Sequence, residues 1–160
     1  MNQRSNIHGT GLLLGRLGVL LRGPSGAGKS LLALLLLEQC ALQGEPAWIV
    51  ADDRVELANE PGGLVMYAPA SIAGLIELRG RGIVRRPFVP KSNLHLVVDL
   101  VEETERMVEE DALVTELLGV RLARCPVPRN GLLETSHQLL LVREAMREIA
   151  PQRLARQKTS

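Results

Sequence analysis

The sequence predicts an α/β domain with a mixed, mainly parallel sheet and flanking helices. Short apolar runs such as Leu12–Leu14, Val19–Leu21 and Leu94–Val101 predict strands, because each is brief and bounded by glycine or polar residues. Two longer stretches, Ser30–Leu42 and Leu132–Ala150, have the length of helices. Short buried strands combined with long helices are typical of an α/β domain.

The first elements are separated by clear turns. The strands Leu12–Leu14 and Val19–Leu21 are joined through Gly15–Gly18, where a glycine at each end favours a tight turn. The helix Ser30–Leu42 is apolar nearly all round and is therefore expected to be buried. Gly44–Pro46 ends it, because glycine accepts the left-handed cap and proline cannot continue a helix.

The second half is less regular. Ala47–Ala51 predicts a short strand, and the turn Glu60–Gly63 precedes another at Leu64–Tyr67. Ala70–Leu78 fits a strand and a helix equally well. Leu94–Val101 accumulates apolar residues instead of alternating them, which predicts a strand covered on both faces.

The length of 160 residues predicts one domain, residues 1–151, followed by a basic tail at 152–160. The last helix, Leu132–Ala150, is expected to end before Pro151 because proline lacks the N–H that a helix interior needs. The tail beyond it is expected to be flexible.

Composition argues against several classes of protein. A net charge of +1 and only 2% aromatic residues predict no nucleic-acid surface. The longest apolar run, Leu31–Leu37, is too short to cross a bilayer, so no membrane partner is expected. The stretch Met1–His8 is polar and predicts no secretory signal. Two cysteines without metal-ligand spacing favour a reducing cytoplasmic location.

A phosphate-binding loop lies between the second strand and the first helix. It fits the pattern of glycine, four residues and then Gly-Lys-Ser, with the residues Gly23, Pro24, Ser25, Gly26, Ala27, Gly28, Lys29 and Ser30. The glycines let backbone N–H groups approach phosphate oxygens, and the following helix directs its positive end at them. Lys29 is expected to reach the β- and γ-phosphates of ATP, and Ser30 to offer its hydroxyl to Mg²⁺.

Two acids follow the strand at 47–51. In a parallel arrangement Asp52 and Asp53 would lie at the sheet edge where the phosphate loop opens. A carboxylate there can hold Mg²⁺ or accept a proton from an attacking hydroxyl. A simple turn at the strand end remains the alternative. Further on, the stretch Glu77–Ile83 combines one acid with Arg79 and a second arginine, which by charge alone could be a solvated surface.

Together these motifs resemble the HPr kinase/phosphorylase family, in its C-terminal catalytic domain. The resemblance runs from Ile7 to Arg129 and suggests a short form without the family's N-terminal domain. It rests on six stretches in the family's order, namely His8-Gly9, Gly18–Leu21 leading into the phosphate loop, Ala51–Val55, Glu77–Ile83, Glu105–Met107 and Pro126–Asn130.

The resemblance implies a P-loop kinase that transfers the γ-phosphoryl group of ATP to a serine of an HPr-like phosphocarrier protein, and that can reverse the reaction with phosphate. The family enzymes are cytoplasmic hexamers. By resemblance Asp52 is the acid/base that deprotonates the target serine, and His8 lies in the active site. Lys29 and Arg106 would stabilise the transferring charge.

The resemblance also implies that Ser30 and Glu77 hold Mg²⁺ and that Arg129 belongs to a loop used in the reverse reaction. Two positions depart from the family pattern. Leu31 stands where the family generally carries an acid, and the Pro126–Arg129 loop is shortened. The stretch between the Glu77–Ile83 motif and residue 94 is also short. These departures favour the kinase direction over the reverse reaction.

Two other functions remain compatible with the sequence. The same phosphate loop could serve a small-molecule kinase or an ATPase, although no insertion of the kind that forms a lid stands out. A nucleotide-binding regulatory module is the third reading, for which Leu31 is the only indication.

Overall fold

The computed structural model describes residues 3–157, with side chains described up to residue 150. Within that range the chain forms twelve strands and two long helices. In chain order they are β1 Ser5–His8, β2 Thr10–Leu14, β3 Leu17–Arg22, α1 Lys29–Leu42, β4 Ala47–Ala51, β5 Arg54–Glu60, β6 Gly63–Tyr67, β7 Leu75–Leu78, β8 Gly82–Arg85, β9 Lys91–Asn93, β10 Leu96–Val101, β11 Val114–Leu117, β12 Val120–Pro128 and α2 Thr135–Gln157.

A six-stranded sheet forms the centre of the domain, in the order β11-β12-β10-β3-β2-β4. Strands β12, β10 and β3 lie side by side and parallel, whereas β2 pairs antiparallel with both β3 and β4. Strand β4 therefore runs in the same direction as β3, and both end at one edge of the sheet. The predicted α/β fold with a mixed sheet is confirmed, although β2 and β11 add antiparallel ladders.

A second, antiparallel sheet covers one face of the first, in the order β1-β5-β6-β9, and β7 and β8 form a separate hairpin. Most strands of this second sheet were not predicted from the sequence. Strand β5 buries Val55, Leu57 and Ala58, but charged residues at 54, 56 and 60 interrupt them, so no continuous apolar run marks the strand. Strands β1 and β9 are short and largely polar.

The core consists of two clusters, one on each face of the central sheet. Helix α1 packs between that sheet and α2, with Leu32 and Leu36 fully buried, as its uniform apolar character predicts. Along β10, Val98 belongs to the cluster on the helix side and Val97 to the cluster on the side of the second sheet. Strand β10 is therefore covered on both faces, which confirms the prediction from its sequence.

Two boundaries differ from the prediction. Helix α2 begins at Thr135, and it continues through Pro151 to Gln157, so the expected end before Pro151 is wrong. Proline removes one backbone hydrogen bond from the ladder, and here that loss does not end the helix. Residues 158–160 of the predicted tail lie outside the described residues. The ambiguous stretch at 70–78 divides into a 3-10 turn at Ala70–Ile72 and strand β7.

Neither described helix combines the length and the apolar character that crossing a bilayer requires.

Candidate active site

The phosphate loop leaves the end of β3 and enters α1 at Lys29. Gly28 has φ +96°, and a Cβ at this position would lie 2.9 Å from the Cβ of Asn130. Both the backbone conformation and the space therefore require glycine here. The amide of Ala27 donates to the carbonyl of Pro24 at 3.1 Å, which closes the loop on itself in front of the helix N-terminus. A helix N-terminus of this kind favours phosphate.

The lysine of the loop is almost buried. Its Nζ donates to the carbonyl oxygens of Gly23 at 2.7 Å and Pro24 at 3.0 Å. Burial lowers the pKa of Lys29, while the charges of Asp53 and Asp52 oppose that shift. A phosphate group beside Lys29 would favour its charged form and would satisfy the ammonium group more fully than two neutral carbonyls do.

Asp52 is the centre of a small hydrogen-bond network at the end of β4. Its Oδ1 accepts from the Thr10 hydroxyl at 2.8 Å and from the Ser30 hydroxyl at 2.9 Å. Its Oδ2 lies 3.1 Å from the Ser30 hydroxyl and 3.3 Å from the amide nitrogen of Glu77. The carboxylate is therefore held in one orientation against the serine of the phosphate loop, at the sheet edge where the sequence placed it.

Asp53 adopts a different position from its neighbour. Its φ of +70° lies in the left-handed region, which aspartate tolerates better than most residues. The carboxylate is 75% exposed and lies 3.3 Å from the Nδ1 of His8. The backbone holds this pair together, because the amide of Gly9 donates to the carbonyl of Asp53 at 3.1 Å.

These residues surround a cleft of about 410 Å³. Ten of the predicted site residues line it, namely His8, Ser25, Gly26, Gly28, Lys29, Ser30, Asp52, Asp53, Glu77 and Arg79. Gly23, Pro24 and Ala27 complete the loop beneath it. Leu31 also lines the cleft and is 39% exposed.

Outside the phosphate loop, two predicted site residues, Arg106 and Arg129, do not line this cleft. Arg106 lies in the segment after β10 and faces a larger cavity of about 720 Å³. The Nε of Arg129 donates to the Oε2 of Glu102 at 2.6 Å, and its backbone amide donates to the carbonyl of Val101 at 2.9 Å. Arg129 is nevertheless adjacent to the phosphate loop, since the amide of Asn130 donates to the carbonyl of Ala27 at 3.1 Å.

A sequence profile described as HPr Serine kinase C-terminal domain matches residues 1–133 of the chain. The chain belongs to this family. The HPr kinase/phosphorylase of Bordetella pertussis is 35% identical over 133 residues, which cover 75% of this chain and 41% of the relative. The enzyme of the same name from Clostridium acetobutylicum is 32% identical over 130 residues, covering 77% of this chain and 40% of the relative.

A solved structure from Coxiella burnetii, titled as an Hpr(Ser) kinase/phosphatase, matches the fold with a TM-score of 0.73 at 24% sequence identity. The match covers 96% of this chain and 97% of that chain, and it confirms the kinase-domain fold. The chain spans less than half the length of the curated relatives it matches.

Two polar residues at the site of this HPr kinase family domain were not predicted from the sequence to belong to it. Thr10 is fully buried, and its hydroxyl donates a hydrogen bond to Asp52. The feature of the sequence that could have indicated this role is a polar side chain at the start of an otherwise apolar strand. Asn130 lines the cleft and packs against Gly28; it follows directly after Arg129 in the quoted motif. His95, outside the cleft, accepts a hydrogen bond at its Nδ1 from the amide of Gly18 at 2.8 Å.

An ion-pair network lies directly beneath the phosphate loop. Arg22, the last residue of β3, donates to both carboxylate oxygens of Asp99 at 2.8 and 2.9 Å. Arg124 donates to the same carboxylate at 2.6 Å and to the carbonyl of Ala112 at 2.8 Å. Burial would raise the pKa of Asp99, but the hydrogen bonds and charges of the two arginines outweigh it and hold that pKa below its ordinary value.

The donor set of the cleft fits a magnesium ion. Ser30 supplies a hydroxyl, and Asp52 and Glu77 supply carboxylate oxygens, which are the ligands that Mg²⁺ prefers. No group of three or more His, Cys, Asp or Glu side chains gathers as a metal cage within the described part of the chain. Mg²⁺ does not need one, because it keeps several waters and takes one or two carboxylates together with substrate phosphates.

Proposed function

We propose that this domain is an ATP-dependent protein-serine kinase that transfers the γ-phosphoryl group of ATP to a serine of an HPr-like phosphocarrier protein. The proposal rests on one observation above all. The serine of the phosphate loop is hydrogen-bonded to Asp52 in a cleft that also contains Lys29, Glu77 and His8. Membership of the HPr serine kinase family and the names of the relatives support the same activity.

The first task of the site is to bind the triphosphate. Backbone N–H groups of the loop and the N-terminus of α1 provide positive potential without a mobile side chain. The Nζ of Lys29 lies inside this loop and would exchange its two carbonyl partners for phosphate oxygens. Mg²⁺, held by Ser30 and Glu77, would neutralise the charge that develops on the phosphates.

The second task is to move a proton. The hydroxyl oxygen of the acceptor serine forms a bond to the γ-phosphorus while the bond to the β-phosphate oxygen breaks and ADP leaves. Asp52 takes the hydroxyl proton onto a carboxylate oxygen. Thr10 helps to keep that carboxylate aimed into the cleft, because its buried hydroxyl has Asp52 as its hydrogen-bond acceptor. His8 and Asp53 form the rim of the cleft where the acceptor protein would enter.

Arg106 and Arg129 lie outside the phosphate-loop cleft, and each would have to move to act in the reaction. Arg106 faces the larger cavity, so a role in stabilising transferring charge requires the segment at 102–109 to approach the cleft. Arg129 is paired with Glu102 and would have to leave it to meet an incoming phosphate. Together with Leu31 in the cleft, this arrangement supports weak reverse activity compared with the kinase reaction.

Assembly and location complete the proposal. Exposed apolar side chains such as Leu42, Met107, Ile83 and Phe88 offer surfaces for a homo-oligomer, a hexamer by analogy with the family. The two cysteines are buried free thiols, which is compatible with a cytoplasmic location. Light scattering coupled to gel filtration measures the assembly, and a monomer at micromolar concentration would contradict this part of the proposal.

A transfer assay with ATP labelled at the γ-phosphate distinguishes this proposal from the other functions. With a purified HPr-like protein present, label is expected on that protein. Release of labelled phosphate without an acceptor would indicate an ATPase, and ATP binding without turnover would indicate a regulatory module.

A further inference from the structure

The ion-pair network beneath the phosphate loop takes one charged side chain from each of three neighbouring parallel strands. Arg22 lies on β3, Asp99 on β10 and Arg124 on β12. Between 15% and 26% of each side chain is exposed. Charges with so little exposure are costly to desolvate, and apolar side chains of similar size often stabilise such a position as well or better. Stability alone is therefore a weak reason for this network.

On one side, the network fixes the entry to the phosphate loop. Arg22 directly precedes Gly23, and the carbonyl oxygen of Gly23 accepts a hydrogen bond from the Nζ of Lys29 at 2.7 Å. Gly23 also lies against β10, since a Cβ added to it would lie 3.0 Å from the Cβ of Leu100. The two parallel bonds from Arg22 to Asp99 hold this corner of the chain in one geometry. Asp99 thereby helps to hold the carbonyl that positions the Lys29 ammonium group.

On the other side, the network fixes the turn that follows the segment containing Arg106. The Nη1 of Arg124 donates to the carbonyl oxygen of Ala112 at 2.8 Å, within the short 3-10 turn Glu110–Leu113. The Nε of Arg124 donates to the Oδ2 of Asp99 at 2.6 Å, which sets the orientation of the guanidinium. Arg106, Ala112 and Arg124 line the same cavity. One carboxylate is thus connected to the phosphate loop and to the turn behind Arg106.

We propose that Asp99 is a positioning residue for phosphoryl transfer. Through Arg22 it acts on the phosphate loop, and through Arg124 it acts on the segment that carries Arg106. This inference rests on the proposed function and adds to it residues that do not touch the substrate. Phosphoryl transfer depends on the placement of charged groups around the phosphates more than on covalent chemistry. A displacement of about 1 Å in such a group can lower the rate by about 100-fold.

Substitutions that conserve charge test the two sides of the network separately. Arg22→Lys and Arg124→Lys keep the positive charge but lose the planar fork that makes two directed bonds. Arg22→Lys is expected to raise the Kd for ATP with Mg²⁺, measured by titration calorimetry, by about tenfold. Arg124→Lys is expected to leave that Kd unchanged and to lower kcat for transfer to an HPr-like protein by about tenfold. Because the charge is conserved, simple Coulomb attraction to the phosphates does not account for either effect.

Arg143→Lys is the matched control. Arg143 is another largely buried arginine, 12% exposed, and its Nη1 lies 3.4 Å from the Oε2 of Glu45. It also contacts Cys40, near the end of α1 that is farthest from the phosphate loop. The control is expected to lower the midpoint of urea unfolding, as the two test variants do, with Kd and kcat unchanged. General destabilisation would affect all three variants alike, whereas positioning separates Kd from kcat.

Asp99→Glu tests whether one carboxylate serves both sides. It keeps the charge and displaces the carboxylate by one methylene group, so it is expected to raise Kd and lower kcat together. Adding Arg22→Lys to Asp99→Glu is expected to raise Kd no further, because residues that act as a unit give effects that do not multiply. If circular dichroism shows that Asp99→Glu does not fold, Asp99→Asn repeats the test with a side chain of the original size.

The outcomes separate this inference from the proposed function. Normal Kd and kcat in the folded arginine variants would overturn the inference and leave the kinase intact. Equal losses in Arg143→Lys, or effects of Asp99→Glu and Arg22→Lys that multiply, would overturn it as well. If the wild-type domain binds ATP but transfers no phosphate to the acceptor, the proposed function fails. The effect of Arg22→Lys on Kd then still tests the connection to the phosphate loop.

Discussion

Replacement of Asp52 by asparagine tests the chemistry of the cleft most sharply. Within the described residues, its carboxylate accepts hydrogen bonds from the hydroxyls of Thr10 and Ser30 and from the amide of Glu77. Asparagine keeps the size of the side chain but replaces one acceptor oxygen with an NH₂ group. Whichever position that group takes, one of these donors loses its acceptor, and the side chain no longer takes up a proton at neutral pH.

The expected effects of Asp52→Asn differ between rate and stability. Loss of general acid–base catalysis lowers kcat by about 10²–10⁴-fold, equivalent to roughly 3–5 kcal/mol of activation free energy. Replacement of the charged acceptor by a neutral amide, with the loss of one hydrogen bond to it, lowers the free energy of unfolding by about 1.5–3 kcal/mol. The KM for ATP is expected to change little, because the phosphate loop remains.

Asp53→Asn is the matched control. Asparagine tolerates the left-handed backbone at this position. The Asp53 side chain is exposed, and its Oδ1 lies 3.3 Å from the Nδ1 of His8. We expect unfolding free energy within about 0.5 kcal/mol of wild type. Steady-state transfer kinetics and urea unfolding of both variants show which of the two acids accepts the proton. If Asp53→Asn abolishes transfer while Asp52→Asn retains most of it, the assignment of the two acids is wrong.

Three further predictions concern the charges around the loop. Lys29→Ala is expected to abolish transfer and weaken ATP binding without changing the circular dichroism spectrum; unchanged turnover would remove the basis of the nucleotide site. Glu77→Gln is expected to lose activity that high Mg²⁺ partly restores, and a defect indifferent to Mg²⁺ would indicate a structural role. Asp99→Asn is expected to cost about 1.5–3 kcal/mol of unfolding free energy at pH 7, because Arg22 and Arg124 lose the negative charge that they share and keep only one acceptor oxygen. The lowered pKa of Asp99 stabilises the fold above the pKa of the unfolded chain, and this contribution disappears as the pH falls through the folded pKa. The difference between wild type and variant in urea unfolding should therefore shrink below about pH 4, and a constant difference would contradict this account.

The elements nearest the phosphate loop could be predicted from the sequence because their signals are local. The strand entering Gly23 and the helix leaving Ser30 are both marked by continuous apolar runs. The end of α2 could not be predicted in this way. Proline disfavours a helix interior locally, yet helix α2 continues past Pro151.

The second sheet could not be predicted because its strands depend on contacts distant in sequence. Three of the seven residues of strand β5 are charged, and its buried residues Val55 and Leu57 are stabilised by packing against the central sheet. Contacts within the candidate site could not be predicted for the same reason. Thr10 reaches Asp52 across 42 positions, and only the antiparallel pairing of β2 with β4 brings them together.

The measurement that tests the central claim most directly is mass spectrometry of an HPr-like phosphocarrier protein after incubation with this domain, ATP and Mg²⁺. The account predicts one phosphate on one serine of the acceptor, no product when that serine is replaced by alanine, and none when the enzyme carries Lys29→Ala. An acceptor that stays unmodified while the wild-type domain binds and consumes ATP would contradict it.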